Sequence, residues 1–374
     1  MAVNLLAALD DERYGAGALA HAHAAAARAG CTLRRVDGAG DRLAAWIDLH
    51  FAPSSWSSEA GAGSAWVAER DGAIAGFAAF GARGLRFHWL RRWRAHPGVG
   101  IFGPFGLLPA HRKTGIGEVL LAAALASLRE AGYGAALIPA VSGDRLIASY
   151  AARTGAAVVD EFAFLPERTY RTAILASGAG TNARNVLERV RARELPLDVA
   201  AVLANHAGAG ALTVARDHAV DAIPIVWERD RESRDGFDAR LVEQVASTEP
   251  ELVLLLGWMH LLPSAFLHRF PATINVHPAF LPLDPAADHL IAPDGTAIPA
   301  LRGAHALRDA LRAGCRWSGA TVHGVTDATD RGEVLVRVPV PVGAAANEAA
   351  LRELVRPAEF AAVPAAVRRW IFER

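Results

Sequence analysis

In the second half of the chain, apolar runs of strand length recur at short intervals. They fall at about 171–176, 199–204, 222–226, 251–256, 273–276 and 320–325. Each is short and mainly apolar, as suits a strand in the interior of a sheet. Between most of them lie helix-length amphipathic segments, such as "NARNVLERVRARE" and "RDGFDARLVEQVAST". Strand–helix alternation predicts parallel strands joined by crossover helices. The later run "EVLVRVPVPV" predicts an edge strand, because Pro339 and Pro341 cannot donate to a ladder on both sides. A helix over about 347–371 closes this half.

The first half is patterned differently. "AWVAERDGAIAGFAAF" alternates about a polar centre and predicts a hairpin turning at Asp71-Gly72. "GIFGPFGLLP" and "AALIPAV" read as strands. "GIGEVLLAAALASLREAGYG", stopped at Gly132, and "RLIASYAARTG" read as helices. Antiparallel strands followed by a strand–loop–helix unit predict a mixed α+β sheet. The first 40 residues are Ala-rich and predict helix. The two patterns meet at "FAFLPERTYRTAILASG", where 164–167 form a short, proline-marked connector. A chain of 374 residues is too long for one ordinary core. The expected domains are therefore 1–166, clearest from about 40, and 167–374.

Composition narrows the function. Hydrophobic residues make up 52% of the chain, enough for packed cores and against wholesale disorder. Formal net charge is zero, which gives nucleic acid or a polybasic membrane anchor no support. No apolar run reaches 18 residues, and the N-terminus lacks a basic stretch with a cleavage site. A cytoplasmic location is expected. Cys31 and Cys315 are far apart, so neither a disulfide framework nor a metal site of Cys/His spacing is expected.

Candidate chemistry begins at "ATINVHPAFLP", residues 272–282. Asn275 and His277 share parity at a strand end, while Val276 faces the core. Strand ends are where doubly wound sheets place their sites. An amide and an imidazole aimed at one point suit a developing oxyanion, which implies acyl transfer. Further on, "GATVHGVTDATDRGEVL" carries Asp327 and Asp330 on a loop beyond another strand. A carboxylate there can orient His277 or relay a proton. "ILASGAGTNARN" is a strand, a glycine turn and a helix start, with the amides of Gly180, Thr181 and Asn182 facing an anion.

In this order, over about 170–374, the stretches resemble phosphoribosylglycinamide formyltransferases of the folate-dependent formyltransferase superfamily. "NVHPAFLP" and "TDATDRG" carry the resemblance. It implies formyl transfer from 10-formyltetrahydrofolate to a small-molecule amine, without a metal. Asn275 and a protonated His277 would hold the oxyanion, with Asp330 as the essential carboxylate. Gly178, Ala179, Gly180, Thr181 and Asn182 would cradle a substrate phosphate, with Arg356 and Glu359 on the phosphate and the ribose or amine side. Trp258, Met259, His260, Leu261 and Leu262 would line the pterin pocket, with Val325, Thr326 and Asp327 on its other wall. Three departures stand out: His260 where the family has Arg, Ala179 where it has Asn, and a connector at 283–302 longer by roughly one and a half dozen residues. The acceptor is left open between glycinamide ribonucleotide and another amine, and a folate- or CoA-binding sensor is the non-enzymatic alternative. His289, His305 and His323 read as structural or solvated, as does His260; His305 is the best exception.

A second motif lies in "LLPAHRKTGIGEVLL". Arg112, Lys113, Thr114, Gly115, Ile116 and Gly117 form a strand-to-helix turn rich in backbone donors, suited to a pyrophosphate. Lys113 is the chain's only lysine. The turn resembles the acyl-CoA loop of GNAT acetyltransferases, over about 40–163. That resemblance implies acetyl-CoA, with Leu107 and Leu108 near its pantetheine and Tyr150 protonating the departing thiolate. No general base is identified; Glu69 and His88 are the nearest candidates. "RFHWLRRWRAHPG" reads as a solvated aromatic loop. The expected class is α/β: an N-terminal mixed α+β GNAT-like sheet and a C-terminal, mostly parallel, Rossmann-like formyltransferase sheet. The oligomeric state is left open.

Overall fold

The computed structural model describes residues 1–374. They form two compact units: one of 1–51, 56–164 and 371–374, the other of 52–55 and 165–370. No helix is long and apolar enough to cross a membrane.

The first unit opens with β1 (Ala2–Ala8), α1 (Ala18–Arg28), β2 (Thr32–Asp37), α2 (Gly40–Phe51) and α3 (Trp56–Gly61). The expected hairpin follows as β3 (Ser64–Arg70) and β4 (Ala73–Phe80), then β5 (Val99–Leu107) and α4 (Ile116–Glu130). β6 (Ala135–Val141), α5 (Asp144–Thr154) and β7 (Ala157–Phe162) complete it. The sheet order is β2-β3-β4-β5-β6-β1-β7, with only β5 and β6 parallel. That parallel pairing covers only Val99, Gly100 and Ile101; beyond them the two strands part.

The helical expectation for the first 40 residues holds for α1 but fails at β1 and β2. "AVNLLAA" is a strand, antiparallel to β6 on one side and β7 on the other. Ala2, Leu5 and Ala7 are fully buried. Two flanking strands and burial on both faces override the helix preference of alanine. Asn4 is buried too, and is fully engaged. It donates to the Trp89 carbonyl (2.7 Å) and to Asp160 (3.0 Å), and accepts from the Ala140 amide (3.2 Å).

The second unit follows the predicted alternation: β8 (Tyr170–Ala176), α6 (Thr181–Arg191), β9 (Leu197–Ala204), α7 (Gly210–Asp217), β10 (Asp221–Pro224) and α8 (Arg234–Ala246). Then come β11 (Leu252–Leu255), α9 (Ser264–Arg269) and β12 (Thr273–His277). The long connector holds its own hairpin, β13 (His289–Ile291) and β14 (Ala297–Pro299). α10 (Ala306–Arg312), β15 (Trp317–Gly324), β16 (Val334–Pro341) and α11 (Glu348–Phe372) end the chain. The sheet order is β10-β9-β8-β11-β12-β15-β16. β8 to β12 are parallel to one another and to β10; β15 and β16 run antiparallel, with β16 at the edge. The chain winds outward on one side of β8 and returns to β11 on the other. This is a switch point, with a crevice beyond the strand ends.

α11 contains Pro357 and Pro364. Pro364 has no N–H for the Phe360 carbonyl one turn earlier. Asn185 on α6 donates to that carbonyl instead, at 3.1 Å. One turn before Asn185's neighbour, Asn182 donates to Glu359 on α11 at 2.9 Å. The helix that opens at the glycine turn is thus held to the last helix by two side-chain bonds.

The loop between β15 and β16 is pinched at its neck. The Gly324 amide donates to the Glu333 carbonyl at 2.9 Å, and a Cβ on Gly332 would lie 1.7 Å from the Gly324 carbonyl oxygen. Only glycine permits that approach. Gly332→Ala is expected to lower the unfolding free energy by about 1–3 kcal/mol. The measurement is a lower denaturation midpoint at unchanged slope; stability equal to the wild type would contradict this account of the neck.

Candidate functional site

The pinched loop folds back over the end of β12. Asn275 pairs across the ladder with His323 of β15, so their side chains share a face. Asp330 reaches that face from the loop. Its Oδ2 lies 3.4 Å from His277 Nδ1, and its Oδ1 lies 3.4 Å from His323 Nε2. Asn275 Nδ2 is 3.3 Å from His323 Nε2 and 3.5 Å from Asp330 Oδ1. The second distance is at the outer limit of a hydrogen bond. One carboxylate therefore touches both residues of the strand end. His323, read from the sequence as structural or solvated, is buried and touches the same carboxylate. Parity alone could not reveal it; the signal appears once β15 is known to lie beside β12.

Residues 301–303 close the constellation from the connector side. His277 Nε2 donates to the Leu301 carbonyl at 2.7 Å, and the Gly303 amide donates to Asp330 Oδ2 at 2.7 Å. The charges follow from these contacts. Burial pushes the Asp330 carboxyl up, but contact with His323, the charge of His277 and the Gly303 amide outweigh it. They hold the carboxyl down to about 2. For His277, burial wins: it pushes the imidazole below its ordinary value, against the pull of Asp330 and the Leu301 carbonyl. Burial thus disfavours, in the free protein, the protonated ring that the resemblance implies. The Leu301 carbonyl can only accept, so the proton sits on Nε2. Nδ1, on the Asp330 side, is the nitrogen able to take one.

The glycine turn joins β8 to α6. Gly180 has φ +78°, and a Cβ there would sit 2.5 Å from Ala211 Cα, so both conformation and contact require glycine. Gly178 and Ala179 precede it, and Thr181 and Asn182 begin the helix with their amides at its N-terminus. Glu359 reaches this turn through Asn182, and burial raises its carboxyl's proton affinity. Arg356 is turned along α11 to Glu353, 2.7 Å away.

Beyond β11, Trp258 is buried with its Nε1 unpartnered, and its ring packs on His260 with centroids 5.6 Å apart. Leu262 and Val325 pack against the same apolar cluster. Met259 and Leu261 are large apolar side chains left 59% and 69% exposed. Thr326 and Asp327 are exposed on the facing loop, and Asp327 accepts from Ser264 Oγ at 2.6 Å. An apolar wall with an unpartnered indole donor fits a flat heteroaromatic group that carries acceptors. A separate cleft of about 460 Å³ lies at the other end of β15, lined by Leu311, Cys315, Trp317 and Val342 among others. No residue of the constellation lines it. No group of three or more His, Cys, Asp or Glu is arranged to hold a metal.

In the first unit, Arg112 and Lys113 are exposed ahead of α4, and Gly115 caps that helix in a left-handed conformation. Thr114 Oγ1 donates back to the His111 carbonyl at 2.7 Å. Ile116 is buried and Gly117 lies against Phe105 and Leu107. Leu107 ends the strand that parts from β6, and Leu108 follows it. Tyr150 packs on the core beside Phe102, and burial pushes its phenol up to about 12 against the pull of Arg153. Glu69 is paired with Arg34 at 3.1 Å, and His88 contacts the Phe164 carbonyl at 3.3 Å.

Both halves match families already described. Residues 170–367 match the formyl transferase family and residues 15–155 the acetyltransferase (GNAT) family. The chain is 34% identical over 206 residues to the phosphoribosylglycinamide formyltransferase of Mycobacterium tuberculosis, covering 54% of this chain and 85% of that protein. It is 29% identical to the Escherichia coli enzyme of the same name, covering 51% and 82%. Among solved structures, glycinamide ribonucleotide transformylase 1 from Symbiobacterium toebii is 32% identical, covers 56% of this chain and 92% of its own, and aligns with a TM-score of 0.49. The match over residues 170–367 makes this a formyl-transferring enzyme. The chain belongs to the formyl transferase family, and carries a GNAT domain at its N-terminus.

The charge balance at His277 is open to direct measurement. Its ring is expected to titrate below 6.5 by NMR. Asp330→Asn removes the anion that favours the protonated ring, so the midpoint falls further. A midpoint above 6.5, or a rise in the variant, would contradict the burial account.

Proposed function

We propose that the C-terminal domain transfers the formyl group of 10-formyltetrahydrofolate to the amine of glycinamide ribonucleotide. The observation that carries this is the single carboxylate of Asp330 within 3.5 Å of both Asn275 and His277. It is supported by a 34% identical relative whose name states that substrate. When bound, 10-formyltetrahydrofolate supplies the electrophilic formyl carbon. His277 Nδ1 accepts the proton the amine releases as its nitrogen bonds to that carbon, and returns it to the nitrogen that leaves. Asp330, ionised down to about pH 2, stabilises the imidazolium while it lasts. The Asn275 amide, only loosely held by Asp330, turns a donor to the charge gathering on the formyl oxygen. The amides of Thr181 and Asn182 take the substrate phosphate at the start of α6. Glu359 and Arg356 bound the phosphate end and the ribose or amine side. The wall of Trp258, Met259, His260, Leu261 and Leu262, with Val325, Thr326 and Asp327 opposite, takes the pterin.

A second acceptor is favoured by one observation: residues 301–303, where the long connector rejoins the domain, bond directly to His277 and Asp330. A longer segment at the site can reshape what it admits. An amine screen with 10-formyltetrahydrofolate, read by mass shift, decides between them. Formylation of glycinamide ribonucleotide supports the first reading; formylation of other amines alone supports the second. Loss of one oxyanion donor costs about 2.7–4 kcal/mol in the barrier. Asn275→Ala and Asp330→Asn are each expected to lower kcat by about 10²–10³ with circular dichroism unchanged. Near-normal turnover in Asp330→Asn would overturn the mechanism.

For the N-terminal domain we propose acetyl-CoA as ligand. The amides at Gly115 to Gly117, with Arg112 and Lys113, take the pyrophosphate. The strand edge freed where β5 parts from β6, near Leu107 and Leu108, takes the pantetheine amides. Tyr150 keeps its proton up to about pH 12 and so has one to donate to a thiolate. Because Lys113 is the only lysine, an amine-reactive reagent has one side-chain target besides the α-amine of Met1, and peptide mass mapping separates the two. Acetyl-CoA is expected to protect Lys113 from modification; equal labelling with and without the ligand would remove the proposal.

A further inference from the structure

The connector 283–302 is packed rather than loose: Leu290, Ala292 and Ile298 are buried. Its last residues hold the constellation, as Leu301 bonds His277 and Gly303 bonds Asp330. Between them stands Arg302, whose Nε donates to the Asp330 backbone carbonyl at 3.3 Å. Its Nη2 donates to the Ala287 carbonyl (2.7 Å) and the Pro285 carbonyl (3.3 Å). On the other side of Asp330, Arg331 Nη1 donates to the Pro285 carbonyl at 2.8 Å and the Ala286 carbonyl at 3.2 Å. Two guanidiniums thus converge on one short stretch of connector, and burial together with the charge of Arg331 makes Arg302's proton less tightly held. Asp288 resolves the conflict. Its Oδ1 lies 3.2 Å from Arg302 Nη1 and also accepts from Arg331 Nη2.

Asp330 has φ +51°, the left-handed region that a residue with a side chain occupies only when its surroundings impose it. Here its carboxylate is held by the Gly303 amide and the two histidines, and its carbonyl by Arg302. We infer that Asp288 is a positioning residue for the transfer. It couples Arg302 to Arg331, and through Arg302 it fixes the backbone of Asp330 against His277. An exposed ion pair usually contributes little to stability. The role assigned to Asp288 is geometric and electrostatic, so it shows in kcat and in titration rather than in folding.

The groups facing His277 are Asp330 from the loop after β15, His323 from β15, and Arg302 and the Leu301 carbonyl from the connector. Without Asp288, the positive charge of Arg302 near His277 is balanced by Asp330 alone. The ring then titrates at lower pH. The kinetic part of the inference rests on the formyl-transfer reading above; the titration does not.

The test compares Asp288→Ala, Asp288→Glu and, as a control on an ion pair elsewhere in the connector, Asp294→Ala, which removes the partner of Arg316. Asp288→Ala is expected to lower kcat about tenfold or more. KM is expected to stay within about twofold, the melting temperature to stay unchanged, and the His277 NMR midpoint to move to lower pH. Asp288→Glu restores both kcat and midpoint, and Asp294→Ala changes neither. Wild-type kcat with an unmoved midpoint in Asp288→Ala overturns the inference, as does an equal loss in Asp294→Ala. If the wild-type protein formylates no amine, the proposed function fails, and the His277 midpoint alone then decides the role of Asp288.

Discussion

The buried charge of Asp330 is the constraint around which the C-terminal domain is arranged. An ionised carboxylate taken out of water is costly unless donors surround it. Here the Gly303 amide donates to it, the Asn275 amide lies 3.5 Å away, and the rings of His277 and His323 stand 3.4 Å away on separate strands. Each must be in place for the charge to be tolerated. The loop that delivers the carboxylate is closed by a glycine contact that admits no side chain, and its own backbone sits in a strained region. The β12–β15 ladder and the end of the connector hold the loop in this position.

The same burial sets the chemistry. The contacts of Asp330 keep its carboxyl charged, while burial disfavours the protonated form of His277. A neutral imidazole beside a fixed anion is a proton acceptor whose charged form is stabilised only when it forms. The contact with the Leu301 carbonyl fixes which nitrogen carries the resting proton, so the accepting nitrogen faces the carboxylate.

Both domains open a helix at a glycine turn, which leaves free backbone amides at its start. α6 starts at the glycine turn after β8, and α4 starts at the Gly115 turn after β5. The devices around them differ. α6 is tied to α11 by Asn182 and Asn185, the second of which occupies a carbonyl freed by Pro364. α4 instead follows a strand that has parted from its neighbour, which leaves an open backbone edge beside the helix start.

Much of this architecture is legible along the chain. Strand-length apolar runs and amphipathic segments mark β8 to β15, because a strand in the interior of a sheet suits mainly apolar sequence. Parity alone puts Asn275 and His277 on one face. The Ala-rich start misleads, because Ala2–Ala8 has no local signal for the two strands that enclose it. His323, the lowered proton affinity of His277 and the clamp at Asp288 are invisible for the same reason. Each depends on which strand lies beside which, and on how far water is excluded. Periodicity encodes what each segment must bury; only the folded chain decides which charges meet, since those meetings join residues far apart in sequence.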